Sequence, residues 1–256
     1  MKYLNLLQPF LYQGKAMLLA YDHGMEHGPV DFRGKSFDPA YILDLAEKGR
    51  FTGIILQKGI AEKYYWRSSY SRHLPLIVKI NGKTRVTPGE PYSAINCSVS
   101  YAKKLGAKAV GYTIYLGSER EWEMLRDFGK VQEEAHRLGL AAIAWIYPRG
   151  KAVEKEDSPE MISYAARLGL ELGADMIKIK YSGSEETFRE AIKVAGKVKV
   201  LLSSGPRLEE VEFLNRVRDI MKAGAVGIAV GRNVWQRENA LEFSNKLHNV
   251  IWSEEE

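Results

Sequence analysis

The segment most informative about the fold of this chain is Ala174-Asp175-Met176-Ile177-Lys178-Ile179-Lys180-Tyr181-Ser182-Gly183. It predicts a short buried strand that ends in a turn at residues 181–183. Side chains alternate between the two faces of a strand, so Met176, Lys178 and Lys180 share one face of it. Lysines on one face of an apolar strand must reach solvent, find partners or lose their protons.

Two interpretations of this lysine pair are open. Lysines at the end of a strand often extend into water, as Lys197 and Lys199 are expected to do. A lysine held in an apolar site is instead a candidate amine nucleophile, because desolvation and a neighbouring cation both lower its pKa. The pair alone does not separate these interpretations, so the rest of the chain must.

An alternation of apolar strands and amphipathic helices extends outward from this stretch in both directions. Predicted strands lie at residues 16–21, 53–57, 76–80, 109–115, 141–146, 176–180, 200–203 and 226–230. Predicted helices lie at residues 38–48, 98–105, 119–138, 159–172, 185–194, 209–223 and 239–251, and a short leading helix lies within residues 2–12.

This order of elements predicts an α/β fold. The strands are short, continuous apolar runs, which is typical of parallel strands covered on both faces. No linker or shift in composition divides the chain, so we expect residues 1–256 to form a single (β/α)8 TIM barrel with a short N-terminal helix. The alternative, an open doubly wound sheet, requires a glycine-rich fingerprint after the first strand, and the sequence has none there.

Composition limits the classes of function. Of the 256 residues, 45% are hydrophobic and 27% charged, which are globular values, and the net charge of +5 favours anionic partners only weakly. Without a basic run interleaved with aromatics we expect no nucleic-acid binding. The single cysteine, Cys97, and the lack of a signal-peptide pattern predict a reducing compartment, the cytoplasm. The longest uncharged apolar run, residues 140–147, is too short for a membrane span.

Catalytic groups of such barrels lie at the carboxyl-terminal ends of the strands. The polar and glycine residues predicted at those ends are Asp22, His23, Glu26, His27, Lys79, Asn81, Trp145, Tyr147, Arg149, Lys178, Lys180, Ser203, Ser204, Gly205, Gly231, Arg232 and Asn233. An inward carboxylate at Asp22 is well placed to pair with a lysine. Tyr147 is either a buried structural phenol or an acid/base group, and its position alone does not decide.

The ends of the last two strands predict a phosphate site. Backbone N–H groups of the turn at residues 203–205 and of the segment at Gly231 could bind an anion, with Arg232 adding charge. The alternative is that the small residues only form a tight turn. His23 and His27 have the spacing of metal ligands on a helix, but Gly24 and Gly28 argue against a helix, so local hydrogen bonding is the favoured interpretation.

Several segments in order resemble the archaeal-type class I fructose-1,6-bisphosphate aldolases, in the DeoC/FbaB aldolase superfamily. They cover nearly the whole chain and are residues 18–29 (LLAYDHGMEHGP), 59–65 (GIAEKYY), 81–84 (NGKT), 111–115 (GYTIY), 147–150 (YPRG), 178–183 (KIKYSG) and 227–236 (GIAVGRNVWQ).

The resemblance implies roles for individual residues. Lys178 would form the Schiff base, Tyr147 would donate and accept protons, and Asp22 would assist at the imine. Substrate-binding residues would be Trp145, Lys180, Ser204, Gly205, Gly231 and Arg232, and Lys180 would help to keep Lys178 neutral. The turn in the family is more often Ser-Gly-Gly, so Ser204 here places a side chain where a hydrogen is usual.

The partners would be phosphorylated sugars and other copies of the chain, in a pentamer or decamer. The mechanism needs no metal or cofactor.

Three rival functions remain open. One is the amino-sugar branch of the same family, a 2-amino-3,7-dideoxy-D-threo-hept-6-ulosonate synthase-type aldolase with the same lysine. Another is a barrel that binds phosphate without catalysis, and a third is a metal-dependent aldolase that uses His23 and His27. Three features favour a bisphosphate substrate over the amino-sugar branch. They are the second cation at Lys180, the position of Trp145 below Tyr147, and the sequence at residues 21–29.

Overall fold

Eight parallel strands close into a barrel in the computed structural model, which describes residues 5–252. Each strand pairs with its neighbours in the chain, and the first pairs with the last to complete the ring. The (β/α)8 prediction is therefore confirmed. The strands are β1 (Ala16–Tyr21), β2 (Gly53–Gln57), β3 (Leu76–Lys79), β4 (Ala109–Leu116), β5 (Ala141–Pro148), β6 (Met176–Ile179), β7 (Lys199–Ser203) and β8 (Gly227–Val230).

Helices connect the strands and cover the outside of the barrel. The helix Pro39–Lys48 begins where the sequence predicts, and Asp38 accepts a hydrogen bond there from the Ala40 N–H at 2.9 Å. No helix among residues 5–252 is long and apolar enough to cross a bilayer. The α-helices are Gly24–His27, Pro39–Lys48, Lys58–Ile60, Val99–Lys104, Glu121–Arg137, Pro159–Glu171, Glu185–Ala195, Glu210–Lys222, Arg232–Trp235 and Ala240–Trp252.

Shorter elements account for the differences from the predicted boundaries. A helical turn, Lys58–Ile60, and a π-helix, Ala61–Tyr65, follow β2, where no helix was predicted because Gly59 and the lack of a capping residue hide it. Within the predicted leading helix, residues 2–4 lie outside the described residues, and the only helical turn described is the 3₁₀ segment Gln8–Phe10. Other 3₁₀ turns are Gly28–Asp31, Gly34–Phe37 and Tyr70–Arg72, and Asn81–Gly82 pairs with Ala94–Ile95 in a small antiparallel sheet.

Strand alternation divides the apolar core in two. Met17 and Leu19 of β1 pack outward against the helices, whereas Leu18 and Ala20 pack inside the barrel. Phe10 is fully buried in the inner cluster with Ala16, the first residue of β1, so the segment before β1 closes the amino-terminal end of the barrel. The candidate active site therefore lies at the opposite, carboxyl-terminal end of the barrel.

Trp145 reaches the inside of the barrel through space that a glycine provides. A Cβ on Gly111 of β4 would lie 2.0 Å from the indole Cη2, so no other residue fits there without displacing the ring. Trp145 is 2% exposed and stands in register with Lys178 on β6. The indole therefore forms the wall against which the lysine packs.

Candidate active site

A cavity of about 380 Å³ opens at the carboxyl-terminal ends of the strands. It brings together eight of the nine residues predicted from the sequence, and Gly231 lies beside it, where its N–H donates to Ser204 Oγ at 3.4 Å. The predicted residues that line the cavity are Asp22, Trp145, Tyr147, Lys178, Lys180, Ser204, Gly205 and Arg232.

Lys178 lies inside the barrel and not in solvent. Lys178 is 4% exposed, and its Nζ lies 5.4 Å from the centroid of the Trp145 ring. Burial lowers the pKa of Lys178; Asp22 and Glu26 oppose this effect, and the positive charge of Arg232 adds to it. A neutral amine in a cavity is the form that attacks a carbonyl carbon.

Lys180 has a different environment from the one expected. Strand β6 ends at Ile179, so Lys180 follows the end of the strand, and its Nζ pairs with the carboxylate of Glu156 in the loop after β5. The cation that acts with burial on the pKa of Lys178 is Arg232. Burial and Arg232 therefore lower the pKa of Lys178, in the role that was expected of Lys180.

Asp22 is a largely buried carboxylate that lines the cavity. Burial alone would raise its pKa, but His23, Lys178 and Lys79 outweigh burial and hold the pKa of Asp22 below its usual value. Its Oδ1 is buried without a hydrogen-bond partner among the described residues and lies 3.6 Å from His23 Nδ1. An ionised oxygen without a donor is ready to accept a hydrogen bond from a substrate.

Tyr147 stands on β5, two residues beyond Trp145, and lines the same cavity. Its hydroxyl lies 3.1 Å from the hydroxyl of Ser203 on β7. Burial raises the pKa of Tyr147 above its usual value, the negative charges of Asp22 and Glu26 act in the same direction, and the Ser203 hydrogen bond opposes them. The phenol therefore stays protonated at neutral pH and can donate a proton. Ser203 was predicted as the end of a strand and as part of the anion-binding turn at residues 203–205, and nothing in the sequence signals its pairing with Tyr147.

A second buried lysine, Lys79, was noted at the end of β3 but given no role. It is 4% exposed, and its Nζ donates to the Asn81 carbonyl oxygen at 2.9 Å and lies 5.8 Å from the Trp145 centroid. Burial lowers the pKa of Lys79 to about 8. Its charge contributes to the field that keeps Asp22 ionised.

The loops after β7 and β8 are held together by Asn233. Its Nδ2 donates to the carbonyl oxygens of Ser204 and Pro206 at 3.1 and 2.7 Å, and its Oδ1 accepts from the Leu208 N–H at 2.8 Å. A Cβ on Gly231 would lie 2.6 Å from His23 Cε1, so glycine allows β8 to end against the β1 loop. Ser204, Gly205 and Arg232 thus face one side of the cavity as a preformed group.

An ionic network that the sequence did not predict forms another side. Arg149 Nη1 lies 3.3 Å from Glu26 Oε1, and Arg149 Nε lies 3.1 Å from Glu156 Oε1. The Tyr115 hydroxyl donates to the same Glu26 oxygen at 2.8 Å. These bonds join the loops after β1 and β5 to the end of β4. No spacing in the sequence indicates a pairing between residues so far apart in the chain.

The histidine segment differs from the prediction in one respect. Gly24–His27 does form one turn of helix, which ends at Gly28 with φ of +72°, so the glycines limit the helix without preventing it. His27 Nδ1 lies 2.7 Å from Asp31 Oδ2, which agrees with the local hydrogen bonding favoured from the sequence. No group of three or more His, Cys, Asp or Glu residues that could hold a metal ion occurs in the part of the chain that is described, residues 5–252.

Burial of His23 predicts a loss of stability in acid. Burial lowers the pKa of His23 to about 4, whereas the unfolded chain has a pKa near 6.5. The stabilisation is therefore complete above about pH 6.5 and is lost as pH falls toward about 4, because only the unfolded state takes up the proton in that window. With 19% of the side chain exposed, the loss should be roughly 2–3 kcal/mol.

Urea unfolding of the wild type and of His23→Gln at pH 7 and near pH 4 measures this contribution. The free-energy difference between the two proteins should shift in favour of the variant as the pH falls. Parallel stability curves over this range would contradict a neutral buried histidine.

The sequence of this chain is similar to those of known aldolases. The model of the DeoC/LacD family of aldolases matches residues 16–237. The class 1 fructose-bisphosphate aldolase of Thermoproteus tenax is 52% identical over 249 residues, which cover 96% of this chain and 93% of that protein. The class 1 fructose-bisphosphate aldolase of Halobacterium salinarum is 44% identical over 248 residues, or 96% and 94% of the two chains.

A solved structure agrees with the barrel throughout. An archaeal fructose-1,6-bisphosphate aldolase, in which the catalytic lysine is covalently bound to the carbinolamine intermediate of the substrate, superposes with a TM-score of 0.92 and 50% sequence identity. The match covers 96% of this chain and 98% of that one. The chain therefore belongs to the DeoC/LacD family of aldolases.

Proposed function

We propose that this protein is a class I aldolase that reversibly cleaves fructose 1,6-bisphosphate into dihydroxyacetone phosphate and glyceraldehyde 3-phosphate. The observation that carries this proposal is Lys178, a buried amine of lowered pKa that lines a cavity with Tyr147 and Asp22. The names of the relatives support the substrate, since the Thermoproteus tenax and Halobacterium salinarum proteins are both class 1 fructose-bisphosphate aldolases.

The first half of the reaction is formation of an imine. Neutral Lys178 attacks C2 of the open-chain ketose, and the carbonyl oxygen takes a proton to give a carbinolamine. Loss of water, which needs a proton on the departing hydroxyl, leaves a protonated Schiff base. Tyr147 is the proton donor at this step, because burial keeps its phenol protonated.

The second half breaks the C3–C4 bond. The proton of the C4 hydroxyl is removed, the C4–O bond becomes the aldehyde carbonyl of glyceraldehyde 3-phosphate, and the bonding pair moves into the imine to give an enamine. Tyr147 exchanges protons with the reacting carbons and oxygens, while ionised Asp22 stabilises the positive iminium. Protonation of the enamine at C3 and addition of water release dihydroxyacetone phosphate and restore the lysine.

The phosphate of the ketose half binds between the ends of β7 and β8. Ser204, Gly205, Gly231 and Arg232 line or adjoin this side of the cavity, and Asn233 holds the two loops together before a substrate arrives. Trp145 forms the apolar wall at Lys178, and Lys180 contributes a charge that is already balanced by Glu156. The homo-oligomer, a pentamer or decamer, stays a prediction from the family resemblance.

The test of this proposal combines an assay and a covalent trap. Purified protein should release triose phosphates from fructose 1,6-bisphosphate in a coupled assay. Borohydride added with dihydroxyacetone phosphate should attach the triose irreversibly to the peptide that carries Lys178. Faster condensation with aspartate semialdehyde than cleavage of the bisphosphate would place the protein in the amino-sugar branch. Labelling of no lysine would reject the Schiff-base mechanism.

Arg232→Ala should weaken the handling of phosphorylated ketoses selectively. Loss of a charged hydrogen bond to phosphate is worth roughly 1.5–3 kcal/mol, so kcat/KM for fructose 1,6-bisphosphate should fall about 10²-fold. Borohydride trapping with unphosphorylated dihydroxyacetone should change far less, because that ketose has no anion to bind.

Arg218→Ala is the matched control for this change. Arg218 is an exposed arginine of the helix Glu210–Lys222, and its guanidinium bonds Asn215 at 2.6 Å. The Arg218 variant should behave as the wild type. Equal losses for the phosphorylated and unphosphorylated ketoses in the Arg232 variant would place the phosphate elsewhere.

A further inference from the structure

A carboxylate outside the predicted site bonds the arginine of the phosphate site. Asp31 ends the 3₁₀ turn Gly28–Asp31 that follows the β1 loop. Its Oδ2 accepts a hydrogen bond from Arg232 Nη1 at 3.3 Å and lies 2.7 Å from His27 Nδ1. One carboxylate oxygen therefore serves two side chains that line the cavity.

Asp31 is itself fixed by a contact that does not involve its carboxylate. Gln236 Nε2 donates to the Asp31 carbonyl oxygen at 2.8 Å, and the adjacent Trp235 Nε1 donates to the Ala20 carbonyl oxygen at 3.0 Å. These bonds attach the segment after β8 to β1 and to its loop. The carboxylate is thus held at a defined distance from Arg232 by the backbone around it.

Arg232 retains donors for an anion after this contact. Its side chain is only 16% exposed, and its buried Nε has no hydrogen-bond partner among the residues described, 5–252. A guanidinium has five N–H donors, of which Asp31 engages one nitrogen. A buried donor without an acceptor is costly unless a ligand satisfies it, so the remaining edge is suited to a phosphate oxygen.

From this geometry we infer that Asp31 is a positioning residue of the phosphate site, which holds the Arg232 guanidinium in the orientation that binds the phosphate of the ketose. This inference rests on the proposed function. Asp31 acts through Arg232 and takes no part in the chemistry at Lys178, so its effect belongs to substrate binding and not to the turnover of bound substrate.

The opposite effect of Asp31, repulsion of the phosphate, is the competing interpretation. Two arguments favour positioning. The charge of Oδ2 is already balanced by Arg232, which reduces its repulsion of a second anion. An arginine freed from its partner gains rotamers that it must lose again on binding, which weakens its contact with the anion.

The test compares Asp31→Asn with the wild type. The amide keeps the shape of the side chain and removes its charge. We expect KM for fructose 1,6-bisphosphate to rise about tenfold, as for loss of one charge-assisted hydrogen bond, with kcat changed by less than about twofold. Asp31→Glu, which keeps the charge, should recover part of the loss. The matched control is Asp44→Asn, a remote carboxylate that pairs with Lys48 at 3.4 Å.

A double-mutant cycle then asks whether Asp31 acts through the arginine. In an Arg232→Ala background, Asp31→Asn should cause no further rise in KM, because the group that it positions is gone. Equal and additive losses would overturn the inference, as would an unchanged or lowered KM in the single variant or a fall in kcat at constant KM.

Calorimetric titration with inorganic phosphate provides a readout that is independent of catalysis. Phosphate binding should weaken about tenfold in Asp31→Asn, whereas Asp31→Asn should cause no further weakening in an Arg232→Ala background. If the wild type binds phosphate in this way yet cleaves no fructose 1,6-bisphosphate, the proposed function fails while the positioning role stands. Tighter phosphate binding by Asp31→Asn overturns the positioning role whatever the activity.

Discussion

Lys178→Met should abolish turnover while leaving the barrel folded. Loss of the nucleophile removes the covalent route altogether, and changes of this kind cost on the order of 10⁴- to 10⁶-fold in kcat. Methionine is apolar and close to lysine in length, so it should fill the space beside Trp145 without leaving a buried amine to desolvate. Thermal stability should therefore be equal to that of the wild type or higher.

Lys199→Met is the matched control for this change. Lys199 begins β7, is exposed and lies at the opposite end of the barrel from the cavity. This control should retain full activity and the borohydride label. Cleavage of fructose 1,6-bisphosphate at a tenth of the wild-type rate or more by Lys178→Met would exclude this lysine as the nucleophile.

Tyr147→Phe should give the second largest loss. Removal of a positioned proton donor typically costs about 10²–10⁴-fold in rate. The variant should still form part of the borohydride-trapped adduct, because the amine and the cavity remain. Tyr164→Phe, at an exposed tyrosine of the helix Pro159–Glu171, is the matched control and should be unchanged in single-turnover rate. Near-normal turnover of Tyr147→Phe would remove the phenol from the mechanism.

The barrel was predictable because its signals are local and repeated. Each apolar run of the sequence is a barrel strand, and the strand ends agree with the prediction to within one or two residues. The helix after β2 was missed because Gly59 and the absence of a capping side chain leave residues 58–65 without a start signal. In that segment tertiary packing of Ala61 and Tyr65 takes the place of sequence propensity.

The site was predictable where the fold alone determines position. A residue at the carboxyl-terminal end of a barrel strand faces the same opening as the others, which was enough to place Asp22, Tyr147, Lys178 and Arg232 together. Pairing between loops was not predictable. Two ion pairs show this: one joins Asp31 to Arg232, and the other joins Lys180 to Glu156. The separation of these partners in the chain follows no period, and only the folded loops bring their charges into contact.

The burial of Lys79 could not be predicted from the periodicity of the sequence. A lysine at a strand end is usually expected to extend into water, yet Lys79 is buried and its Nζ donates to the carbonyl of Asn81, a residue of the small sheet formed by the loop after β3. Asn81 is held in turn by the Ser93 and Thr113 carbonyls at 3.1 and 2.9 Å. The loop after β3 thus helps to hold the carbonyl that Lys79 bonds, and the sequence of the loop gives no signal of this contact.

The pairing of β1 with β8 determines when the barrel can close during synthesis of the chain. Ala16 stands in register with Gly227, so a growing chain must emerge from the ribosome almost to its end before the ring can close. Asp22 lies on one side of that seam and Arg232 on the other, whereas Lys178 emerges earlier, on β6. Closing contacts so distant in sequence is entropically costly and comes late in folding. A nascent chain therefore carries Lys178, the proposed nucleophile, before the pocket is complete, and the pocket is completed only with the final strand.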